Sequence, residues 1–136
     1  MSTPRVLITG MGAVSPHGRG VDALWHGLLG GVQAFRPITL FDASAFRNPL
    51  AGEVPGYPVL PGGRPRAFRM LHHACGEALR DALGLPETAG DAEISALLMR
   101  QFGLKGAAVV SGTNFGGMSA AERALTMGEE DPAEAS

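Results

Sequence analysis

Two short apolar runs lie at the start of the chain and in its last third. Residues 5–9 (Arg-Val-Leu-Ile-Thr) and 106–110 (Gly-Ala-Ala-Val-Val) contain β-branched residues and are apolar on both faces, which is typical of buried strands in a parallel sheet. The sequence between them has the spacing of helices. Strands that alternate with helices predict an α/β fold built on a mostly parallel, layered sheet. Two strands are few for a whole sheet, so we expect an incomplete one.

Three stretches between these runs carry apolar residues at helical spacing. The first covers residues 21–29, with Asp22 expected as its N-cap and Gly30-Gly31 as its left-handed end. The second covers residues 66–83 and is ended by Gly84 and Pro86, and the third covers residues 91–102. The buried side is expected to comprise Phe68, Leu71, Cys75, Leu79 and Ala82 on the second helix, and Ile94, Leu97, Leu98 and Phe102 on the third.

The other parts of the chain are irregular or polar. Six prolines fall within residues 35–65, which predicts a long excursion with one short strand near 50–54. A capping box that begins at Ser119 predicts a last helix. We take residues 1–128 as one partial domain and residues 129–136 as an acidic tail that frays.

Composition excludes several classes of protein. The net charge is −2, from 11 basic and 13 acidic side chains. The chain therefore has no excess of basic side chains of the kind that nucleic-acid binding requires. The single cysteine cannot form an internal disulfide, and no apolar run has the length of a membrane span. The expected compartment is therefore the cytoplasm. Glycine and proline together supply 30 of the 136 residues, roughly double the average usage.

A Gly-x-Gly pair, Gly10 and Gly12, follows the first predicted strand. A dinucleotide-binding turn opens in this way, but it also needs a third glycine, an immediate helix N-terminus and an acidic residue after the next strand. Ser15 and Pro16 occupy the positions where the third glycine and the helix are required. The pair is interpreted as a turn, nucleotide binding is kept as a remote alternative, and no cofactor is expected.

The only cysteine, Cys75, lies beside two histidines, His72 and His73. A thiol next to an imidazole suits a nucleophile and its base. Helical spacing instead places Cys75 on the predicted buried stripe, where a thiol acts as a small hydrophobe. We therefore interpret Cys75 as structural. The histidines, with His17 and His26, have no spacing typical of metal ligands, and no metal site is expected.

A glycine-rich segment, Gly112-Thr113-Asn114-Phe115-Gly116-Gly117, follows the second predicted strand. Such a segment lets the backbone approach a ligand or a partner closely, and Phe115 would supply an apolar wall. A tight connection from strand to helix, with Phe115 in the core, explains the same residues equally well. The residues alone leave both interpretations open.

Several segments together carry a resemblance to one family. They are residues 5–18 (Arg-Val-Leu-Ile-Thr-Gly-Met-Gly-Ala-Val-Ser-Pro-His-Gly), Leu24-Trp25, residues 36–38 and 41–44, residues 51–55 (Ala-Gly-Glu-Val-Pro), and residues 112–117. In this order they resemble the N-terminal part of a β-ketoacyl-acyl-carrier-protein synthase of type II, a condensing enzyme with the thiolase-like fold. The similarity extends from residue 4 to about residue 118.

The resemblance implies an activity and partners. Members of this family move an acyl chain from acyl carrier protein to a cysteine, decarboxylate a malonyl thioester and join the two units by Claisen condensation, with two histidines and an oxyanion hole in support. The likeness further implies a homodimer or heterodimer in the full-length enzyme. Residues 112–117 would lie beside the acyl pocket and the dimer interface, with Phe115 shaping the far end of the pocket.

The family's catalytic residues do not map onto this chain. The nucleophilic cysteine comes after the glycine-rich segment in the family, and both histidines come later, whereas Cys75 precedes Gly112 and lies within a predicted helix. We therefore expect no catalytic residue here and no activity from this segment alone. Asn114 replaces a glycine of the family pattern. The alternative is a non-catalytic truncated homologue that pairs with another ketosynthase chain, in fatty-acid or polyketide synthesis.

An incomplete sheet has a physical consequence. A parallel sheet needs cover on both faces and partners at its edges. Val6, Ile8, Val109 and Val110 would lack some of these neighbours. We therefore predict that the 136-residue chain on its own is marginally stable, oligomeric or prone to aggregation.

Overall fold

The computed structural model describes residues 3, 5–60, 63–103 and 108–114. Within these ranges four short strands and three helices follow one another along the chain. They are β1 (Val14–Ser15), β2 (Gly18–Arg19), α1 (Val21–Leu29), β3 (Arg36–Pro37), β4 (Leu50–Ala51), α2 (Arg66–Leu83) and α3 (Asp91–Phe102).

The strands form two small antiparallel ladders. Strand β1 pairs with β2, with Val14 opposite Arg19, and β3 pairs with β4, with Arg36 opposite Ala51. The second ladder confirms the short strand expected near 50–54. No parallel sheet occurs among the described residues, so the prediction of one is wrong for this part of the chain.

The described residues of the two apolar runs do not form strands. Residues 5–9 and 108–110 have no strand partner in the described part of the chain, and the side chains of Val6, Ile8, Val109 and Val110 are 92%, 86%, 94% and 97% exposed. A β-strand needs a neighbouring strand with which to form backbone hydrogen bonds. A high content of β-branched residues favours a strand but does not provide that neighbour. The expectation that these four residues lack neighbours is confirmed, while the expectation of buried strands is wrong.

All three helices lie within the predicted bounds, but one cap differs. Helix α1 begins after Gly20, and Asp22 belongs to its first turn, so the assignment of Asp22 as N-cap is wrong. The left-handed residue at the end of α1 is Gly31, with φ +60°, which confirms the left-handed end predicted at Gly30-Gly31. Helix α2 ends at the left-handed Gly84 as its glycine indicates.

The core of the described part is small. Its buried apolar residues are Ala43, Tyr57, Ala89 and Ile94, and Ile94 confirms the predicted inner face of α3. Phe68, Leu71, Cys75, Ala82 and Phe102 are exposed, in contrast to the prediction. Helix α2 is contacted by α3, by β1 and by the loop around Gly10 and Gly12, and these contacts leave the side chains of Phe68, Leu71 and Cys75 exposed.

None of the helices in the described ranges has the length and apolar character needed to cross a membrane. The predicted last helix and the acidic tail fall within residues 115–136, outside the described residues.

Candidate functional site

The Gly-x-Gly turn lies directly on helix α2. A Cβ built on Gly12 would come within 2.8 Å of the backbone nitrogen of Ala78, and one built on Gly10 would come within 2.6 Å of the nitrogen of Ala82. Real Cβ atoms do not approach backbone this closely, so both positions require glycine. The pair serves backbone-to-helix packing along the side of α2 and does not open onto a helix N-terminus as a phosphate-binding turn would.

Two carboxylates of α2 hold the turn in place. The Asp81 carboxylate accepts a hydrogen bond from the backbone N–H of Met11 at 3.0 Å. The Glu77 carboxylate accepts from the N–H of Ala13 and from the N–H of Val21, each at 2.8 Å. Both acids thus bind backbone donors of the loop that precedes α1.

A cleft of about 650 Å³ lies between this loop and α2. It is open to solvent and carries charged groups of both signs. The residues that line it are Met11, Arg19, Gly20, Val21, Asp22, His73, Glu77, Arg80, Asp81, Leu85 and Glu87. Glu77 and Asp81 already accept hydrogen bonds from backbone amides. These two cleft residues therefore hold the loop against α2.

A second cluster surrounds the buried Tyr57. The guanidinium of Arg19 lies over its ring, 4.7 Å from the centroid, and donates to the carbonyl of Gly56 at 2.9 Å. Arg66 donates to the carbonyls of Tyr57 and Val54 at 2.7 and 3.0 Å. Arginines from β2 and α2 thus fix the proline-rich segment against the helix.

The polar atoms within this cluster are not all satisfied. In the described ranges the Tyr57 hydroxyl and the Nε of Arg69 are buried without a hydrogen-bond partner. The Arg69 guanidinium donates to the Pro58 carbonyl through another nitrogen, and the ring of His73 stands edge-on to Tyr57 at 6.4 Å. The cluster is a packing site with two unpaired polar atoms.

Cys75 is exposed on α2, which corrects the prediction that it lies on a buried stripe. None of the described histidines forms a hydrogen bond with its thiol. His72 Nε2 lies within hydrogen-bond distance of an Asp91 carboxylate oxygen, at 3.0 Å, and its ring stacks on Phe68, while His73 packs against Tyr57. The neighbouring imidazoles are therefore engaged elsewhere.

The remaining histidines are separated from one another. The ring of His17 covers the backbone of Gly27, where a Cβ would collide with it, and His26 Nδ1 lies 2.8 Å from the carbonyl of Asp22. Within the described residues no group of three or more His, Cys, Asp or Glu side chains could hold a metal ion.

The glycine-rich segment is described only in part. Gly112, Thr113 and Asn114 are exposed and belong to no helix or strand, and a Cβ on Gly112 would meet no atom within 4 Å. Phe115, Gly116 and Gly117 lie outside the described residues. The proposed role of this segment in an acyl pocket therefore stays a prediction.

A third carboxylate binds backbone in the proline-rich excursion. Glu53 accepts from the N–H and the hydroxyl of Thr39, at 2.9 and 2.8 Å, and from the N–H of Leu40 at 3.1 Å. The hydrogen bonds from Thr39 lower the pKa of Glu53 below its usual value. At Asp42, hydrogen bonds from Ser44 lower the pKa in the same way.

Sequence reasoning missed these acids because each appeared to be an ordinary surface charge. One signal was present in α2, where Ala74, Glu77, Ala78 and Asp81 follow the i, i+3, i+4, i+7 spacing of a single helix face. Small residues beside carboxylates on one face are suited to a closely approaching backbone that offers N–H donors.

The family model for the β-ketoacyl synthase N-terminal domain matches residues 3–130. Among curated relatives, a protein named as granaticin polyketide β-ketoacyl synthase 1 of Streptomyces violaceoruber is 44% identical over 84 residues, which cover 60% of this chain and 20% of the relative. No solved structure gives a significant match.

Two further relatives show the same partial coverage. The 3-oxoacyl-[acyl-carrier-protein] synthase 2 of Coxiella burnetii is 50% identical over 54 residues, 40% of this chain and 13% of the relative. The tetracenomycin polyketide synthase ketoacyl synthase alpha subunit of Streptomyces glaucescens is 39% identical over 85 residues, 57% of this chain and 20% of the relative. The chain spans a fifth or less of the length of these three relatives.

Proposed function

Because the chain belongs to the β-ketoacyl synthase family through its N-terminal domain, we propose that it forms the N-terminal part of a β-ketoacyl-acyl-carrier-protein synthase. Such an enzyme takes an acyl group from acyl carrier protein and extends it with a malonyl unit. The observation that carries the proposal is the family match over residues 3–130. The thiolase-like fold and a dimeric assembly belong to the same proposal.

We further propose that this segment supplies structure and not the nucleophile. Condensation needs a cysteine thiolate that is activated by its surroundings and donors that stabilise an oxyanion. Cys75 is exposed in the middle of α2, and the two imidazoles beside it in sequence bind Asp91 and Tyr57. Within the described part of the chain, this thiol has neither a base nor an orienting partner.

The test measures transfer of a radiolabelled acyl group from acyl carrier protein to the protein. The 136-residue chain is expected to take up no label, whereas the polypeptide translated from the whole reading frame should take up label and release condensed product with malonyl carrier protein. Cys75→Ser in that polypeptide should keep its activity. Loss of labelling in this variant would show that Cys75 is the nucleophile, and a whole polypeptide without activity would contradict the proposed reaction.

Phe115 is proposed to shape the far end of the acyl pocket, on the basis of the resemblance of residues 112–117 to the family segment. A large ring at that position would limit the length of the acyl chain. Phe115→Ala in the active polypeptide should therefore extend the preference to longer acyl groups in a competition assay. An unchanged preference would contradict this role.

The second candidate is a non-catalytic chain that pairs with another ketosynthase chain. The exposure of large apolar side chains such as Val6, Trp25 and Val109 favours it, because such a surface requires cover. The coding sequence after codon 136 distinguishes the candidates. An in-frame continuation with a cysteine and two later histidines supports the enzyme, whereas a stop codon together with co-purification of a ketosynthase supports the pairing chain.

A further inference from the structure

Helix α1 begins at a residue that provides no side-chain cap. Its N-cap is Gly20, with φ +93° and ψ 156°, a conformation that L-residues rarely adopt. The residues that usually cap helices, such as serine and aspartate, are therefore disfavoured at this position, although they would satisfy the free N–H groups of the first turn. A helix of nine residues is marginal without such help.

Glu77 of α2 fills this role from a distance of 56 residues along the chain. One oxygen of its carboxylate accepts from the N–H of Val21, the first residue of α1, and the other accepts from the N–H of Ala13, each at 2.8 Å. The carbonyl of Ala13 in turn accepts from the N–H of Gly20 at 2.8 Å. The three bonds join the loop before α1, the start of α1 and helix α2.

Charge also favours this arrangement. The N-terminus of a helix carries partial positive charge, so an adjacent carboxylate is stabilising. A Cβ on Gly20 would lie 3.2 Å from the Glu77 carboxylate, which shows how closely the acid approaches the helix end. The packing of Gly10 and Gly12 on α2 brings the loop near enough for this contact.

We propose that Glu77, a residue of α2, caps the N-terminus of α1. Order in α1 therefore depends on the docking of the N-terminal end of α1 against α2. Among the described residues, the neighbouring Asp81 accepts a backbone hydrogen bond from Met11, which belongs to the loop. Asp81 therefore fixes the loop without capping α1. The two acids differ in function although they lie one turn apart on the same helix.

Hydrogen exchange of the full chain, read by mass spectrometry, tests this role. In Glu77→Gln one acceptor oxygen is replaced by an amide donor, so one of the two bonds is lost; in Glu77→Ala both are lost. Exchange in the first turn of α1 should accelerate about fivefold in the alanine variant, since a helix cap is worth about 1 kcal/mol, and less in the glutamine variant. Exchange in α3, around Ile94, should not change.

Asp81→Asn is the matched control. It should accelerate exchange around Met11 and leave α1 as protected as in the unchanged chain. Unchanged exchange of α1 in Glu77→Ala would overturn the proposal, and so would equal acceleration of α1 in Asp81→Asn. Equal acceleration of α1 and α3 in Glu77→Ala would also overturn it, because Glu77 would then stabilise the whole fold and not the start of α1.

Discussion

At the scale of single residues, two glycines allow the loop before α1 to lie directly against the backbone of α2. Gly10 and Gly12 bring a loop against the backbone of α2 at Ala78 and Ala82. The sequence identifies a Gly-x-Gly turn but not the surface it touches, because that surface lies more than sixty residues later in the chain. The helix contributes alanines there, which also keep the approach open.

Gly12→Ala should therefore destabilise the chain by about 1–3 kcal/mol, the usual cost of forcing an extra carbon into a packed contact. The new Cβ would meet helix backbone, which cannot rotate away. Urea unfolding followed by circular dichroism measures the loss. Gly112→Ala is the control, since a Cβ there meets nothing within 4 Å, and an equal loss in both variants would contradict the packing argument.

Tyr57 offers a second test at this scale. Its side chain is only 6% exposed, and its hydroxyl has no partner among the described residues. An unpaired buried hydroxyl costs stability, so Tyr57→Phe should leave the free energy of unfolding unchanged or raise it by about 1 kcal/mol. Tyr57→Ala, which also removes the ring under Arg19, should lower it by about 3–5 kcal/mol.

A clear loss of stability in Tyr57→Phe would mean that the hydroxyl is hydrogen-bonded in solution. The same urea experiment detects it, and the alanine variant shows that the measurement responds to this position.

At the scale of elements, the helices could be predicted and the sheet could not. The bounds of α2 and α3 follow from signals within a few residues, namely apolar spacing and the glycine that ends each helix. The strands depend on partners elsewhere in the chain. The run around Val6 has the composition of a strand but no described partner, whereas β3, at Arg36–Pro37, pairs with β4 despite a proline.

For the residues of the candidate site, too, local features could be predicted from the sequence and long-range contacts could not. The sequence singled out Cys75 and the segment from Gly112, because residue type and local order are visible in it. It did not show that Cys75 is exposed or that Glu77 binds two distant amides, because both depend on how α2 meets the other elements. Local chemistry could be predicted, and the contacts between elements could not.

The ladder of β3 and β4 should weaken in acid. Hydrogen bonds from Thr39 hold the pKa of Glu53 below its usual value. A carboxyl whose pKa is lower in the folded state adds stability above its unfolded pKa, about 4.3 for glutamate, and this stability disappears as the pH falls through the folded pKa. Stability from this group should therefore be constant near neutral pH and decrease in acid.

Glu53→Gln should reduce the drop in the urea midpoint between about pH 7 and about pH 3. Asp42, whose pKa is also lowered, remains in this variant and keeps part of the acid dependence. Asp42→Asn should act in the same direction, and the double variant should have the smallest dependence. If Glu53→Gln keeps the full dependence on pH, the carboxylate is not bound to Thr39 and Leu40 in solution.

At the scale of the whole molecule, many large apolar side chains are exposed. In the described ranges four apolar residues are buried, whereas exposed large apolar side chains occur on all three helices and on both apolar runs. A monomeric protein seldom leaves so much apolar surface in water. The family relatives are several times longer than this chain, and such a surface fits a region that other protein surfaces cover.

The chain alone should therefore associate. Sedimentation velocity at increasing concentration is expected to show species larger than a monomer, and thermal melting should be broad. The double variant Val6→Lys with Ile8→Lys should shift the distribution toward the monomer, because charge on an unpaired extended segment opposes strand pairing. A sharp, cooperative melt of a monomer in the unchanged chain would contradict the prediction.

The bond between Glu77 and Val21 has a consequence for biosynthesis. Val21 is translated 56 residues before Glu77, so the ribosome completes α1 well before the acid that caps it exists. Chains fold from the N-terminus as they are made, but here the first helix in the sequence waits for a later one. In the growing chain, α1 is therefore expected to become stably helical only after α2 has left the exit tunnel. The helix that is synthesised first is thus stabilised late.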